Sequence, residues 1–355
     1  MSSIEVTIRP LEIPAELPEV VAVWNRAMPD PFKITEEVLR GHLDYDPNYE
    51  PKACIGAYTE DGQLAGVLIG KRWLIPNHDM AQDDAMQWVR DGSVGVGIIF
   101  VDPPFQRQGI GSQLMHAFEE FAKDRGGAIV TIGREPGRHM LPGIPEPCDA
   151  SHEFFEKLAY GGLGIEMAID IMGDISDKED PPVNNPKLAE KIAQNRADGY
   201  EVVGYSPEYR DAFLSFMREA FPGKWFWTST SLMDTTMGDP SELQLLIHVG
   251  DDGTTVWGMA CTASQANACT GAPTIFQSNG DPEFGGLGPV GIHRDLRGSR
   301  GLGAMLLHLA LVHLREKGVR RVLIDWTSHA TLNRYYRPAG FELYMNYVSV
   351  SKEFE

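Results

Sequence analysis

The chain has 355 residues, 43% of them apolar, enough to bury two ordinary cores. Its 31 Lys and Arg stand against 50 Asp and Glu, a net charge of −19. That balance speaks against a nucleic-acid partner, which calls for a strong basic patch, and suits a cationic, amine-bearing substrate.

No apolar run reaches the roughly 18 residues of a membrane helix, and the first residues carry no signal-peptide pattern. Cys54, Cys148, Cys261 and Cys269 are too scattered for a disulfide framework or a zinc ribbon. The expectation is a cytoplasmic protein with reduced thiols and no metal or membrane.

In chain order, residues 4–9 alternate like a first strand. Residues 16–28 put Leu17, Val20, Val21 and Trp24 on one helical face. Thr35 before Val38 and Leu39 marks an N-capped second helix. Residues 53–58 and 64–70 read as a hairpin around Asp61-Gly62. The polar, Met-rich stretch 73–91 reads as a loop with a short helix.

Residues 98–101 form a buried strand closed by Pro103 and Pro104. After Gln106-Arg107-Gln108-Gly109-Ile110-Gly111 comes a helix with Leu114, Phe118, Phe121 and Ala122 on one face, stopped at Gly126-Gly127. A helix start carries unpaired N–H groups and partial positive charge. Glycines there let an anion approach the backbone. The turn can therefore cradle a phosphate or simply reverse the chain, and spacing alone does not choose. It lacks the Gly-Lys-Ser/Thr of a Walker loop and the third glycine of the dinucleotide fingerprint.

Residues 128–132 form the next strand. A Gly- and Pro-rich loop follows over 133–147, where substrate loops often sit. Ser151 caps a helix to Leu158, and residues 163–171 make a strand. The acidic, Pro-rich stretch 174–186 is the linker candidate, and residues 187–197 are helical.

The second half repeats the plan. A strand at 200–203 and a helix at 208–221 precede a hairpin, 244–249 with 254–261, around Asp252-Gly253. The Gly-rich stretch 280–288 leads into residues 289–293. Then come Arg297-Gly298-Ser299-Arg300-Gly301-Leu302-Gly303, a helix with Leu302, Met305, Leu309 and Val312 aligned, a strand at 322–324, a helix at 330–336 and a last strand at 341–350. Gly109, Gly111 and Gly126 correspond to Gly301, Gly303 and Gly318, so the domain is duplicated. The division expected is 1–173, a linker and helix over 174–198, and 199–355.

The run from Val101 to Gly111, followed by Leu114, resembles the acetyl-CoA signature Gln/Arg-x-x-Gly-x-Gly/Ala of the GNAT acetyltransferases. The resemblance covers nearly the whole chain as a tandem GNAT. It implies an α/β (α+β) fold with two GNAT-like domains, each a mixed, mostly antiparallel sheet with helices on both faces. It implies a cofactor site for acetyl-CoA formed by Ile99, Phe100, Val101, Gln106, Arg107, Gln108, Gly109, Ile110, Gly111 and Ser112 in the first copy. In the second copy the matching positions are Val290, Ile292, Arg297, Gly298, Ser299, Arg300, Gly301, Leu302, Gly303 and Asn333.

Family members transfer the acetyl group directly to an amine, often with a tyrosine that protonates the leaving thiolate. By resemblance Asn333-Arg-Tyr-Tyr336-Arg-Pro-Ala-Gly340-Phe341 puts Tyr336 in that catalytic place; packing against the sheet is its other reading. The first copy has Phe155 there, which holds no proton, and Ala159 in place of the glycine. The second loop carries one extra residue between Arg297 and Gly301, which either spoils the nest of amides or is absorbed outside it. The cleaner loop favours the first copy for acetyl-CoA, the tyrosine favours the second for chemistry, and both remain open.

His139 and Cys148 flank the Pro-Gly-Ile-Pro loop, where a solvated histidine is expected. Trp326 either stacks on a sugar or closes the core. The segments 141–145 and 288–293 resemble a subgroup of tandem GNATs associated with enzymes that degrade amino sugars. That likeness implies an amino sugar such as glucosamine as acceptor, ahead of aminoglycosides, polyamines and amino-acid metabolites. The expected partner is a small amine acting on a monomer or homodimer. The competing reading is a non-catalytic sensor of acyl-CoA or amino sugar.

Overall fold

The computed structural model describes residues 4–44, 46, 48–72, 94–133, 138–162, 168–234, 238–251, 253–264 and 280–354. Two compact units emerge. One gathers the described residues up to Ile169 together with those from Met345 onward, and the other the described residues from Asp170 to Tyr344. A cut of the chain at 173 does not reproduce this division, because the chain's last strand belongs with its first half.

The first half contains β1 (Thr7–Pro10), α1 (Leu17–Ala27), α2 (Glu36–Leu43), β2 (Cys54–Tyr58), β3 (Leu64–Arg72), β4 (Val94–Val101), α3 (Ile110–Asp124), β5 (Ile129–Ile132), β6 (Ile144–Pro145), α4 (Asp149–Lys157), β7 (Gly161–Gly162) and β8 (Ala168–Asp174). The second contains α5 (Pro186–Ala197), β9 (Tyr200–Gly204), α6 (Arg210–Ala220), α7 (Lys224–Ser231), β10 (Leu243–Gly250), β11 (Gly253–Ala263), β12 (Phe284–Ile292), α8 (Leu302–Glu316), β13 (Arg321–Thr327), β14 (Phe341–Val348) and β15 (Val350–Glu353).

The first sheet has the order β1-β2-β3-β4-β5-β15-β7. The second runs β14-β8-β13-β12-β11-β10-β9, and β6 pairs with the end of β14. Pairing is parallel for β4 with β5 and for β12 with β13, and antiparallel along β1-β2-β3-β4, β5-β15-β7, β9-β10-β11-β12 and between β6 and β14. Each half of the sequence thus gives its last strand to the other half's sheet: β15 lies between β5 and β7, and β8 between β13 and β14.

Local chemistry explains the elements that position the turns. Thr35 accepts a hydrogen bond from the Val38 amide and so caps α2. In α3, Ile110, Leu114, Met115, Phe118 and Ala122 are buried in one core cluster with strand residues such as Leu68, Val96 and Val130. α8 is buried nearly all round, through Leu302, Met305, Leu306, Leu309, Ala310 and Leu314 among others. Both helices are therefore clamped along their length, and their N-termini are fixed features of the fold.

Several sequence expectations need correction. Cys148, not Ser151, stands before α4, and no side chain caps it. The strand expected over 163–171 is β8, which begins at Ala168; a two-residue strand, β7, precedes it, and residues 163–167 lie outside the described residues. The single last strand over 341–350 is two strands in different sheets, broken at Ser349. The helix over 330–336 is one α-turn followed by a five-residue π-turn. Most of the Gly-rich stretch 280–288 is strand β12. The loop expected over 73–91 and the tip residue Asp252 lie outside the described residues. No helix among the described residues is long and apolar enough to cross a membrane.

Candidate functional site

Each copy has the same cleft architecture. In the first, β4 pairs with β5 only over Val94–Val96 against Val130–Ile132, and then the ladder ends. The register of β3 with β4 shifts between Ile69 and Gly70, which leaves Gly97 as a bulge. At the end of β4 the buried Asp102 carboxylate accepts from the Arg26 guanidinium at 2.7 and 3.1 Å, tying α1 to the turn. Gln106 donates from Nε2 to the Val101 carbonyl at 2.9 Å. Arg107 (φ 62°) and Gly109 (φ 85°) are left-handed, and Gly109 is the N-cap of α3. A Cβ on Gly111 would lie 3.3 Å from the Phe154 ring.

The second copy repeats this feature for feature. β12 pairs with β13 only over Phe284–Gly286. Between Ala260 and Thr262 the register shifts, so Gly288 and Pro289 oppose the single residue Cys261. His293 replaces Asp102 and meets Glu219 of α6 at 3.3 Å, so the tie survives with new residues. Arg297 donates from Nε to the Ile292 carbonyl at 3.2 Å, as Gln106 does to Val101. Gly298 (φ 72°) and Arg300 (φ 53°) are left-handed, and Gly301 (φ 73°) caps α8. The extra residue is thus taken up between Gly298 and Gly301, ahead of the cap. The Arg300 carbonyl accepts from the buried Asn195 side chain at 3.2 Å, and the Arg300 guanidinium pairs with Asp198.

Charge at the two turns differs. A Cβ on Gly301 would meet the Lys191 stem at 3.0 Å, with its ammonium 3.6 Å away, so α5 places a positive charge at the second turn. A Cβ on Gly303 would meet Ile292 at 3.0 Å and the Tyr335 ring at 3.3 Å, and the Tyr335 hydroxyl donates to the Gly303 carbonyl at 2.6 Å.

Tyr336 is buried, at 7% exposure. Burial first, and the nearby Asp325 carboxylate second, push its phenol above the ordinary tyrosine range, so it keeps its proton. No hydrogen bond engages its hydroxyl among the described residues. Asp325 lies 3.7 Å from where a Cβ on Gly288 would stand, which brings bulge, carboxylate and phenol to one place. At the matching position of the first copy the Phe155 ring packs on Tyr160 at 5.8 Å, and the Tyr160 hydroxyl donates to Glu119 at 3.0 Å.

The remaining expected residues divide. Ile99 and Val101 pack against the α3 cluster, while the Phe100 ring turns away to Trp24 at 5.3 Å. Gln108 donates from Nε2 to the Pro104 carbonyl, and Ile110 is core. Ser112, Val290 and Ser299 are half-buried. Asn333 is exposed, and its side-chain oxygen accepts from Arg337 at 3.1 Å. His139 is buried rather than solvated, at 7% exposure.

Sequence reasoning missed the polar group beside His139, because its members are far apart in the chain. Lys71 and Asp46 form an ion pair at 2.7 Å with both side chains at most 1% exposed. The Asp46 carboxylate also accepts from the Arg138 amide, the Arg138 carbonyl accepts from Lys71, and His42 lies 3.4 Å from that carbonyl. Burial pulls the His42 pKa down to about 3, so its ring is neutral. These bonds close the loop after β5 over the first copy.

Burial pushes the Cys54 and Cys261 thiols up to about 12, which removes them as nucleophiles at neutral pH. Among the described residues no group of three or more His, Cys, Asp or Glu is placed to hold a metal ion.

A model of the acetyltransferase (GNAT) family matches residues 17–140 and again 207–341. No curated protein matches the sequence. Among solved structures, the chain is similar to a GCN5-related glucosamine N-acetyltransferase region of a fungal multi-domain GH3 beta-N-acetylglucosaminidase. That likeness has a TM-score of 0.80 at 17% identity and covers 99% of this chain. The chain spans only 38% of that fungal protein. It is also similar to a GCN5-related N-acetyltransferase from Sphaerobacter thermophilus, with a TM-score of 0.64 at 20% identity over 98% of this chain and 95% of that one. A tandem GNAT protein from the clavulanic acid biosynthesis pathway gives a TM-score of 0.63 at 20% identity over 98% of both chains. At such identities the likeness is one of fold.

Proposed function

We propose, from the premise that this chain belongs to the GNAT acetyltransferase family, that it moves an acetyl group from acetyl-CoA to the primary amine of a small amino sugar. We further assign the transfer to the second copy. One observation carries that assignment: the extra loop residue is absorbed ahead of Gly301, so the second copy keeps its helix cap and also has the phenol that the first copy lacks. The amino-sugar reading is supported by the sequence likeness of residues 141–145 and 288–293 and by the fold shared with the fungal glucosamine N-acetyltransferase region.

The residues fit coenzyme A. Left-handed Gly301 and the cramped Gly303 form a turn whose space a Cβ would fill. The Leu302 amide donates back to the Ser299 carbonyl at 3.4 Å, so it is the Gly303 amide that opens α8 toward an anion, and Lys191 adds charge there. Bound acetyl-CoA supplies an activated thioester. The bulge at Gly288 and Pro289 takes backbone groups out of the ladder; Pro289 has no N–H, so the Gly288 amide is the donor this bulge can offer a developing oxyanion. Tyr336 holds a proton on its hydroxyl through neutral pH and would give it to the sulfur as the C–S bond breaks; the amine, having lost its ammonium proton to solvent, forms the N–C bond, and the proton it then releases returns the phenolate to a phenol through solvent. The open splay between β12 and β13 positions the amine against the carbonyl.

Free-thiol release with glucosamine and acetyl-CoA tests the reading. Release by the wild type supports it. Binding of acetyl-CoA without release from glucosamine or any other amine would favour a sensor.

A further inference from the structure

The backbone at the end of β13 is strained. Trp326 has φ 46°, a left-handed conformation that a bulky aromatic residue rarely adopts. In the first copy a left-handed residue also ends the matching strand, Gly133 at φ 70°, the counterpart of Asp325 one residue earlier. The second copy thus keeps an indole at a left-handed position that glycine would hold without strain. It also maintains a device to hold the strain: the Trp326 amide donates to the carboxylate of Asp170 at 3.1 Å, and Asp170 is fully buried.

Core packing does not account for that indole. Trp326 is only half-buried, and the Lys224 ammonium sits over its ring, 4.4 Å from the centroid. A cation over an indole face is held by the ring quadrupole. Trp326 also directly follows Asp325, the carboxylate beside Tyr336 and the Gly288 bulge. The indole thus stands one residue along β13 from the carboxylate beside the proton donor, past the point where the β12–β13 ladder ends. Lys224 opens α7, so its side chain reaches the ring from a separate element.

We propose that Trp326 is the acceptor platform of the second copy, and that Lys224 rests its ammonium there until an amino-sugar ring displaces it. The inference builds on the function proposed above. A pyranose offers an apolar C–H face to an indole and a cationic amine to Asp325, and both features are present together only in an amine-bearing ring. Trp326 acts in binding and positioning, and it exchanges no proton.

Steady-state kinetics with glucosamine on Trp326→Gly, Trp326→Phe and Lys224→Met test this. Trp326→Gly should raise the glucosamine KM about tenfold or more while the acetyl-CoA KM stays within about twofold, since the variant loses the indole face that the acceptor would meet. Its Tm should hold or rise, because glycine relieves the strained φ. Trp326→Phe should fall between it and the wild type. Lys224→Met should lower the glucosamine KM, because a competing cation is gone. An active wild type with an unmoved glucosamine KM in Trp326→Gly would overturn the platform alone, whatever its Tm. A wild type that turns over no hexosamine would overturn the amino-sugar reading and this inference with it.

Discussion

Tyr336→Phe removes one oxygen and little else. The ring is packed edge-on against Phe341 at 5.9 Å and Tyr335 at 4.9 Å, and phenylalanine keeps both contacts. The hydroxyl makes no hydrogen bond among the described residues, so its loss orphans no buried partner. Stability should change by no more than about 0.5 kcal/mol, the range of substitutions that leave packing and hydrogen bonds intact. Turnover should fall about 10²-fold or more, the usual worth of a positioned acid, equivalent to about 2.7 kcal/mol of barrier. The KM for acetyl-CoA should not move. Thiol release under saturating acetyl-CoA and glucosamine measures the loss, and a thermal melt confirms the fold. Burial and Asp325 both raise the wild-type phenol, so its proton is retained well above neutral pH and the rate should show no loss of a tyrosine proton up to about pH 9. An unaltered kcat in a folded variant would refute the reasoning and leave Tyr336 as packing.

Two further outcomes test the structure itself. Ala159 is left-handed (φ 64°) where the second copy has Gly340 (φ 97°), so Ala159→Gly should stabilise the protein by about 1 kcal/mol; a lower denaturant midpoint would contradict this. His42 is held neutral in the fold with its pKa lowered to about 3, while the unfolded chain protonates it near 6.5. Between those values the unfolded state binds more protons, so stability should fall as pH falls, by up to about 1.4 kcal/mol per pH unit. Urea midpoints from pH 7 to 4 should show that slope flattened in His42→Gln, and an equal slope in both proteins would refute the assignment.

Features set by local pattern were legible in the sequence. The duplicated turns were visible because left-handed caps favour glycine, and Gly109 and Gly301 hold them. The buried faces of α3 and α8 followed from helical spacing. Features set by long-range contact were not legible. Nothing around Ser349 announces that β14 and β15 enter different sheets, since the apolar pattern runs on through the break. Helix α7 was missed because Lys-Trp-Phe-Trp-Thr-Ser-Thr-Ser is aromatic and β-branched, a composition that favours strands. The extra loop residue could have spoiled the turn or not, and only the backbone angles of Gly298, Arg300 and Gly301 decide where it goes. The buried Asp46–Lys71 pair joins residues 25 apart and had no local signal.

The assignment of transfer to the second copy is tested most directly by thiol release from Gly301→Glu and Gly109→Glu, each confirmed folded by its thermal melt. A glutamate at either turn crowds the amides and sets a negative charge where a pyrophosphate would bind. The account predicts that Gly301→Glu abolishes release while Gly109→Glu retains it. Release lost in Gly109→Glu and kept in Gly301→Glu would move the chemistry to the first copy and contradict the account.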